Sequence, residues 1–482
     1  MKARVLAALV AEENRKWWTL MAVSFGLFMI MLDNTVVNVA LPTMRIDLHV
    51  GQSGLEWVVV AYALTFASLM ITGGKLADMF GRRRIFTTGL AIFTLASLAC
   101  GLSSTIGYLI AARALQGVGS ALMNPATLSI VVATFPPRQR GQAIGIWAGV
   151  SALALAIGPL VGGVITQHIN WNWIFFINVP IGVIGIVVSQ LVIRESRDTS
   201  REQSIDLPGL LTSAGFLFTL SYALIEGNSH GWASAEILSL FTAAVVLLVA
   251  LIVLESRQRL PMLDLSLFRI GAFAGANLVA MLVSLAMFGV FFFVSLYVQN
   301  ILGYSPTQAG LIFLPMTVLI ILIAPVAGRF SDRIGSRWLM GGGMTLLGVS
   351  LLFYQRAGLH SNFWTLLPAM ILGGFGMAMT MSPMTSAAMG AVPVDKAGVG
   401  SGVLNSFRQV GGSLGIAVMG AILASYLHHK PETVGAAQDY VNGLHAALAV
   451  SAAISFGAAI VAVVLVRTRP QVERTHVAEA VA

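Results

Sequence analysis

The sequence predicts an all-α polytopic membrane protein, with two six-helix bundles, two extra central helices and fourteen transmembrane helices in all. Three observations predict it. Hydrophobic residues fill 57% of the 482 positions, while Asp, Glu, Lys and Arg fill 10%, against the ~25% that coats a typical soluble domain. The apolar residues fall into runs of roughly 18 to 25 between polar breaks, the length that crosses a hydrocarbon layer as a helix. Glycine, aspartate and proline positions in the first half recur in the second at offsets of 254 and 257.

In chain order the runs are 17–41, 55–76, 85–103, 106–134, 141–166, 172–193, 207–226, 236–254, 270–298, 306–327, 338–355, 363–388, 398–426 and 442–466. Polar or charged breaks separate them, such as Gly74-Lys75 with Arg82 to Arg84, then Ser103-Ser104-Thr105, then Arg138-Gln139-Arg140. Asp33, Asn34, Thr35 and Asn38 interrupt the first run, and no small-residue cleavage site follows a short apolar core. It reads as a span and not as a cleaved leader. All but five of the 28 Lys and Arg fall in alternate connections. Arg45, Arg356 and Lys430 lie on the opposite side, and Arg113 and Arg408 lie inside runs. Retention of positive charge in the cytoplasm then predicts two cytoplasmic termini and an even number of spans. The net charge of +8 is thus a topology signal, and no nucleic-acid partner is expected.

The repeat sets the domain boundaries. Gly74, Asp78 and Gly81 match Gly328, Asp332 and Gly335, and Gly117, Gly119, Pro136, Gly141 and Gly145 match Gly374, Gly376, Pro393, Gly398 and Gly402. This gives an N-terminal bundle over 1–193, two linker helices over 194–269, a C-terminal bundle over 270–466 and a cytoplasmic tail over 467–482. Duplicated halves mark a transporter whose site at the repeat interface opens alternately to each side. A scaffold is the competing reading.

Inside the runs, a few polar residues carry the chemistry. Asp33 lies nine residues before Pro42 and Arg113 nine after Ser104, so at ~1.5 Å per residue both sit ~13 Å below one surface and can face each other. A charge at that depth costs ~2.5–3.5 kcal/mol on insertion scales and marks a pathway or proton relay. The alternative is a pin between two helices. The second half has Met287 and Met370 at the matching positions, which confines this chemistry to the first. Arg408 stands about ten residues into the thirteenth run beside Asn405 and Gln409, facing a cavity or binding carbonyls of a neighbouring helix. Asn34, Asn38, Glu226, Asn405 and Arg408 are the candidate cavity residues, with Glu226 also readable as a solvated boundary residue.

Gly74, Asp78, Gly81, Arg82, Arg83 and Arg84, with Asp332 in the repeat, form a candidate gating loop in which Asp78 caps a helix end. Plain anchoring by positive charge is the other reading. Gly145, Gly149, Ala154, Gly158, Gly162 and Gly163, with Pro159, give the fifth run a face of small residues. It is suited to a tight seal between the halves, or to close packing in general.

Four of these stretches carry a family resemblance. Gly74-Lys75-Leu76-Ala77-Asp78-Met79-Phe80-Gly81-Arg82-Arg83-Arg84 resembles the loop signature of the major facilitator superfamily, with Met79 where a basic residue is common. Leu32 to Pro42 resembles the first-helix signature of its fourteen-helix drug:proton antiporter branch, the EmrB/QacA type. Arg113 to Gly119 is similar to the fourth-helix motif. Gly145, Gly149, Gly158-Pro159 and Gly162-Gly163 resemble the exporter motif of the fifth helix, with Ala154 where glycine is usual. The resemblance implies a major facilitator fold in the cytoplasmic membrane, working as a monomer among lipids on small molecules and protons.

Other activities find no support in the sequence. No phosphate-binding G-x-x-x-x-G-K-[ST] occurs, nor H-E-x-x-H or a cysteine pair. Cys100 stands alone, and adjacent His428 and His429 diverge on a helix. No enzyme, metal or cofactor is expected, and energy must come from an ion gradient. The sequence therefore predicts proton-driven export of lipophilic, cationic drugs or toxic compounds. An exporter dedicated to one endogenous product, such as an antibiotic, and a non-transporting membrane sensor or scaffold are the alternatives.

Overall fold

Where no water is present to bond the backbone, an apolar run satisfies its N–H and C=O groups by coiling into a helix. A computed structural model describes residues 12–197, 206–258, 265–392, 397–427 and 434–466, and all fourteen runs are helical in it. The first half holds α1 (Glu12–Asp47), α2 (Gln52–Phe80), α3 (Arg82–Gly101), α4 (Ile106–Thr134), α5 (Pro137–His168) and α6 (Trp173–Val192). Between the halves lie α7 (Leu207–His230) and α8 (Ala235–Arg257). The second half holds α9 (Gly271–Asn300), α10 (Pro306–Ile312 continued as Leu314–Ile334), α11 (Ser336–Tyr354), α12 (Phe363–Gly390), α13 (Ala397–Ala424) and α14 (Val434–Leu465). Among the described residues, 12 helices are long and apolar enough to cross a membrane. The tail over 467–482 and the pair His428-His429 lie outside the described residues.

Most helices overrun their apolar runs, because backbone bonding does not stop where side chains turn polar. Thus α1 continues past Pro42 to Asp47, and α5 starts at Pro137, a first-turn position that needs no N–H. Proline also explains two interruptions. Pro180 has no N–H for the carbonyl of Phe176, and α6 breaks at Ile177. Pro315 has none for Leu311, and α10 breaks at Phe313; such a gap follows from the missing donor. Side chains cap several starts: Thr105 accepts from the N–H of Tyr108, Asp206 from that of Gly209, Ser234 from that of Ile237, Asn362 from that of Thr365, and Ser305 forms a reciprocal box with Gln308. A short 3-10 turn, Leu265–Arg269, precedes α9.

The chain gathers into two compact units, one of Met1–Gly215 with Leu247–Met262, the other of Phe216–Val246 with Leu263–Ala482. Inside each, the repeat is visible as packing. In the first unit, a Cβ on Gly117 would strike the Tyr62 carbonyl and the Thr65 hydroxyl, and one on Gly119 would meet Phe93 N at 2.6 Å and Gly89 O at 2.8 Å. In the second, a Cβ on Gly374 would meet Met316 O and Leu319 Cβ, both at 2.9 Å, and one on Gly376 would meet Gly343 O at 2.7 Å and Leu347 N at 2.8 Å. Each partner is the repeat image of its counterpart at the same two offsets. Glycine is needed here because two backbones touch, as in other close-packed membrane helices.

Glycine also closes another helix pair in each unit, there with partners that do not match at the two offsets. Gly158 and Gly162 of α5 lie against Thr35 and Val36 of α1, while Gly411 and Gly415 of α13 lie against the carbonyls of Met281 and Leu285 of α9. These contacts dictate a stability test. Gly119→Val should lower the thermal midpoint, as overpacking typically costs ~1–3 kcal/mol. Gly149→Ala, whose Cβ would meet nothing within 4 Å, should be neutral or slightly stabilising. Cys100, the single cysteine and fully buried, supplies the readout through its reaction with a thiol dye on heating. Equal midpoints for the two variants would contradict the packing argument.

Candidate functional site

The close approaches at Gly117 and Gly119 bring α4 onto α2 and α3, and one turn earlier α4 carries Arg113 and Gln116. Both point into a dry space shared with α1. Arg113 Nη1 donates to Asp33 Oδ2 at 2.5 Å and to Gln116 Oε1 at 2.6 Å, and its Nε donates to the Val58 carbonyl at 3.0 Å. Gln116 Nε2 donates to Asp33 Oδ1 at 2.9 Å and to Ser97 Oγ at 2.8 Å. Each carboxylate oxygen therefore has its own donor. The guanidinium stacks 4.3 Å from the centre of the Tyr62 ring, whose hydroxyl meets Ser120 Oγ at 2.9 Å. Asp33 and Gln116 are 0% exposed and Arg113 1%. Two buried charges persist in such a place only when paired and hydrogen-bonded on most of their atoms.

The turn between α2 and α3 is built on a second set of charges. Asp78 Oδ1 accepts from Arg82 Nε at 2.9 Å and pairs with its Nη2 at 2.8 Å, so it does not cap a helix end as expected. That task falls to Glu195, which accepts from the backbone N–H of Arg83 at 3.0 Å and of Arg84 at 3.2 Å. Gly81 has φ +112, and a Cβ on it would meet the Glu195 carboxyl at 2.5–2.8 Å. Glycine is required there twice over, by conformation and by contact.

Comparison with known proteins decides the family. The profile described as Major Facilitator Superfamily matches residues 23–415 and 276–481. The chain belongs to the major facilitator superfamily. It is 36% identical over 412 residues to the tetracenomycin C resistance and export protein of Streptomyces glaucescens, covering 86% of this chain and 77% of that one. It is 35% identical over 475 residues to the puromycin resistance protein of Streptomyces alboniger, covering 96% and 94%. In fold it resembles an inward-facing bacterial homologue of the human lysosomal transporter Spinster, with a TM-score of 0.67 at 17% identity over 94% of this chain and 97% of that one. This superfamily member is therefore a multi-pass membrane protein of a transporter family.

The remaining expected residues fall in several places. Asn34 and Asn38 sit on α1 with their amides turned back to the carbonyls of Ile30 and Asn34. Glu226, near the end of α7, accepts from Ser229 Oγ at 2.9 Å and lies 3.9 Å from His230. Asn405 and Arg408 share α13. The side chain of Asp332 and the surroundings of Gly145 lie outside the described residues. Gly74 lies 3.4 Å, measured from a would-be Cβ, from Pro125, and Gly163 and Pro159 are buried. Gly158 and Gly162 are occupied by packing on α1 within their own unit.

Four residues had no role in the sequence reading. Gln116 bridges the ion pair, and its spacing of three from Arg113 on one helix face was the available signal. Glu195 was hidden in a connection notable for its positive charge. Asp206 and Glu255, 5% and 3% exposed, flank the extra helices and interact electrostatically with Lys75 of the loop signature. Both carboxylates converge on Gly209.

Two expectations follow from this geometry. Arg113→Met strands a buried carboxylate and should cost ~3–5 kcal/mol, whereas the double variant Asp33→Met with Arg113→Met should regain most of that loss. Thermal melting checks it, and additive losses would show that the pair is not the stabilising unit. At the loop, Gly81→Ala should lower the midpoint more in the native background than in Glu195→Ala, which removes the clashing carboxylate. Equal effects would leave backbone conformation as the sole reason for Gly81.

Proposed function

We propose that the protein exports lipophilic compounds across the cytoplasmic membrane in exchange for protons, with Asp33 as the proton carrier and Arg113 and Gln116 as its partners. The observation that supports this most is the fully buried carboxylate paired with arginine between α1 and α4. Protonation of Asp33 cancels its attraction for Arg113, which keeps Gln116 Oε1, the Val58 carbonyl and the Tyr62 ring. The charged link between α1 and α4 is then gone, so proton binding favours a different arrangement of the two helices. A ligand shifts such an equilibrium only by its differential affinity for the two states, and the ion pair supplies that difference. The names of the relatives support export of antibiotics, and two of them name a single compound, which favours a dedicated exporter as the second reading.

In this reading the bundles 1–193 and 270–466 are the transport halves, 194–269 is accessory, and fourteen crossings leave both termini and the tail in the cytoplasm. The loop from Gly74 to Arg84 stabilises the state closed to the inside, and the protein works as a monomer without cofactor. The cationic cargo expected from the sequence would have to displace Arg113 or Gln116 from Asp33, since both carboxylate oxygens are engaged. Flux reports the cargo's charge. A monocation exchanged for one proton moves no net charge and follows the pH gradient alone, at ~1.4 kcal/mol per pH unit. A neutral or anionic cargo gains a further ~2.3 kcal/mol or more per 100 mV.

The test uses membrane vesicles with imposed gradients, puromycin and tetracenomycin C being the first compounds to try. Asp33→Asn should insert normally and lose gradient-driven export. Full export by a well-expressed Asp33→Asn protein would remove Asp33 as the carrier.

A further inference from the structure

The mechanism above leaves one polar strip unused. Asn405, Arg408 and Gln409 are spaced by three and four on α13, which puts them together on one helix face. At ~1.5 Å per residue, Arg408 lies about 16 Å from the start of α13 and about 24 Å from its end, far from the headgroups on either side. Arg408 is half-buried, and no described residue forms an ion pair or hydrogen bond with it. Gln409 is 8% exposed, and its Nε2 donor is buried without a partner among the described residues, as is the Ser406 hydroxyl. Asn405 turns its amide back to the Ser401 carbonyl at 3.1 Å. The first half carries Ala148, Ser151 and Ala152 at the matching positions, although α1 and α5 pack there through the same kind of glycine contact. Packing of this helix pair therefore needs no charge.

Two donors on this strip lack an acceptor among the described residues, the Arg408 guanidinium and the Gln409 amide N–H. We propose that Arg408 and Gln409 form an anion-accepting subsite for the transported compound, receiving a carboxylate, enolate or phenolate oxygen. A guanidinium stays charged in a dry setting and presents a planar fork that takes a carboxylate through two bonds. A cationic group gains nothing there. The inference rests on the exporter reading and deepens it, because it gives the cargo an acidic group.

The experiment compares 1-pyrenebutyrate with its uncharged amide, 1-pyrenebutyramide, on purified protein in phosphatidylcholine nanodiscs. The native protein should bind the carboxylate about tenfold more tightly, the size expected for a hydrogen bond to a charged group. Arg408→Gln should bring the two affinities within about twofold, and Arg408→Lys should keep most of the preference. Gln409→Leu, a milder change, should weaken the carboxylate several-fold and leave the amide unaffected. Equal affinities in the native protein, no measurable binding of the carboxylate, or a preference that survives Arg408→Gln would overturn the subsite. Gradient-driven flux is read separately. Lost preference with intact export removes the subsite alone, while intact preference without export removes the exporter reading alone.

Discussion

A fully buried carboxylate needs a cation and hydrogen-bond donors within the protein, and the Asp33–Arg113 pair is where this chain meets that demand. Much of the first half is arranged around it. α4 must come close enough to α2 for the Arg113 Nε to reach the Val58 carbonyl and for its guanidinium to lie on Tyr62. It must also approach α3 closely enough for Gln116 to reach Ser97. Gly117 and Gly119 permit both approaches, and a side chain at either would collide with main chain. Fold and chemistry are coupled here, because the residues that let helices touch are the ones that let charges meet.

The second half shows what the fold needs without the chemistry. Gly374 and Gly376 make the same contacts, yet Met287 and Met370 replace the acid and the arginine, and both methionines are buried. Close packing through glycine belongs to the duplicated scaffold, whereas the ion pair was placed on one copy of it. The strip on α13 is the mirror of that asymmetry, since Arg408 stands where the first half has Ser151. Each half thus carries one polar device that its twin lacks, and such departures from a repeat are where function is expected.

The fourteen helices and the duplication were legible in the sequence, because runs of apolar residues and spaced glycines are local patterns. That Asp33 and Arg113 can meet was legible too, by counting from the ends of their runs. What counting could not supply was the identity of partners across helices. Gln116 as the bridge, Glu195 as the cap of α3 and Thr35 as the neighbour of Gly158 depend on how rods rotate against each other, and one-dimensional spacing does not encode that rotation. Asp78 illustrates the point. Its position suggested a cap, but Arg82 four residues on offered a nearer charge.

The central claim is that Asp33 gives up a proton when cargo binds. Infrared difference spectroscopy on purified protein, recorded on adding a transported compound, tests it most directly. The account predicts loss of a carboxylic-acid C=O band with gain of carboxylate bands, both absent from Asp33→Asn. The same bands persisting in Asp33→Asn, or no change in native protein that binds the compound, would contradict it.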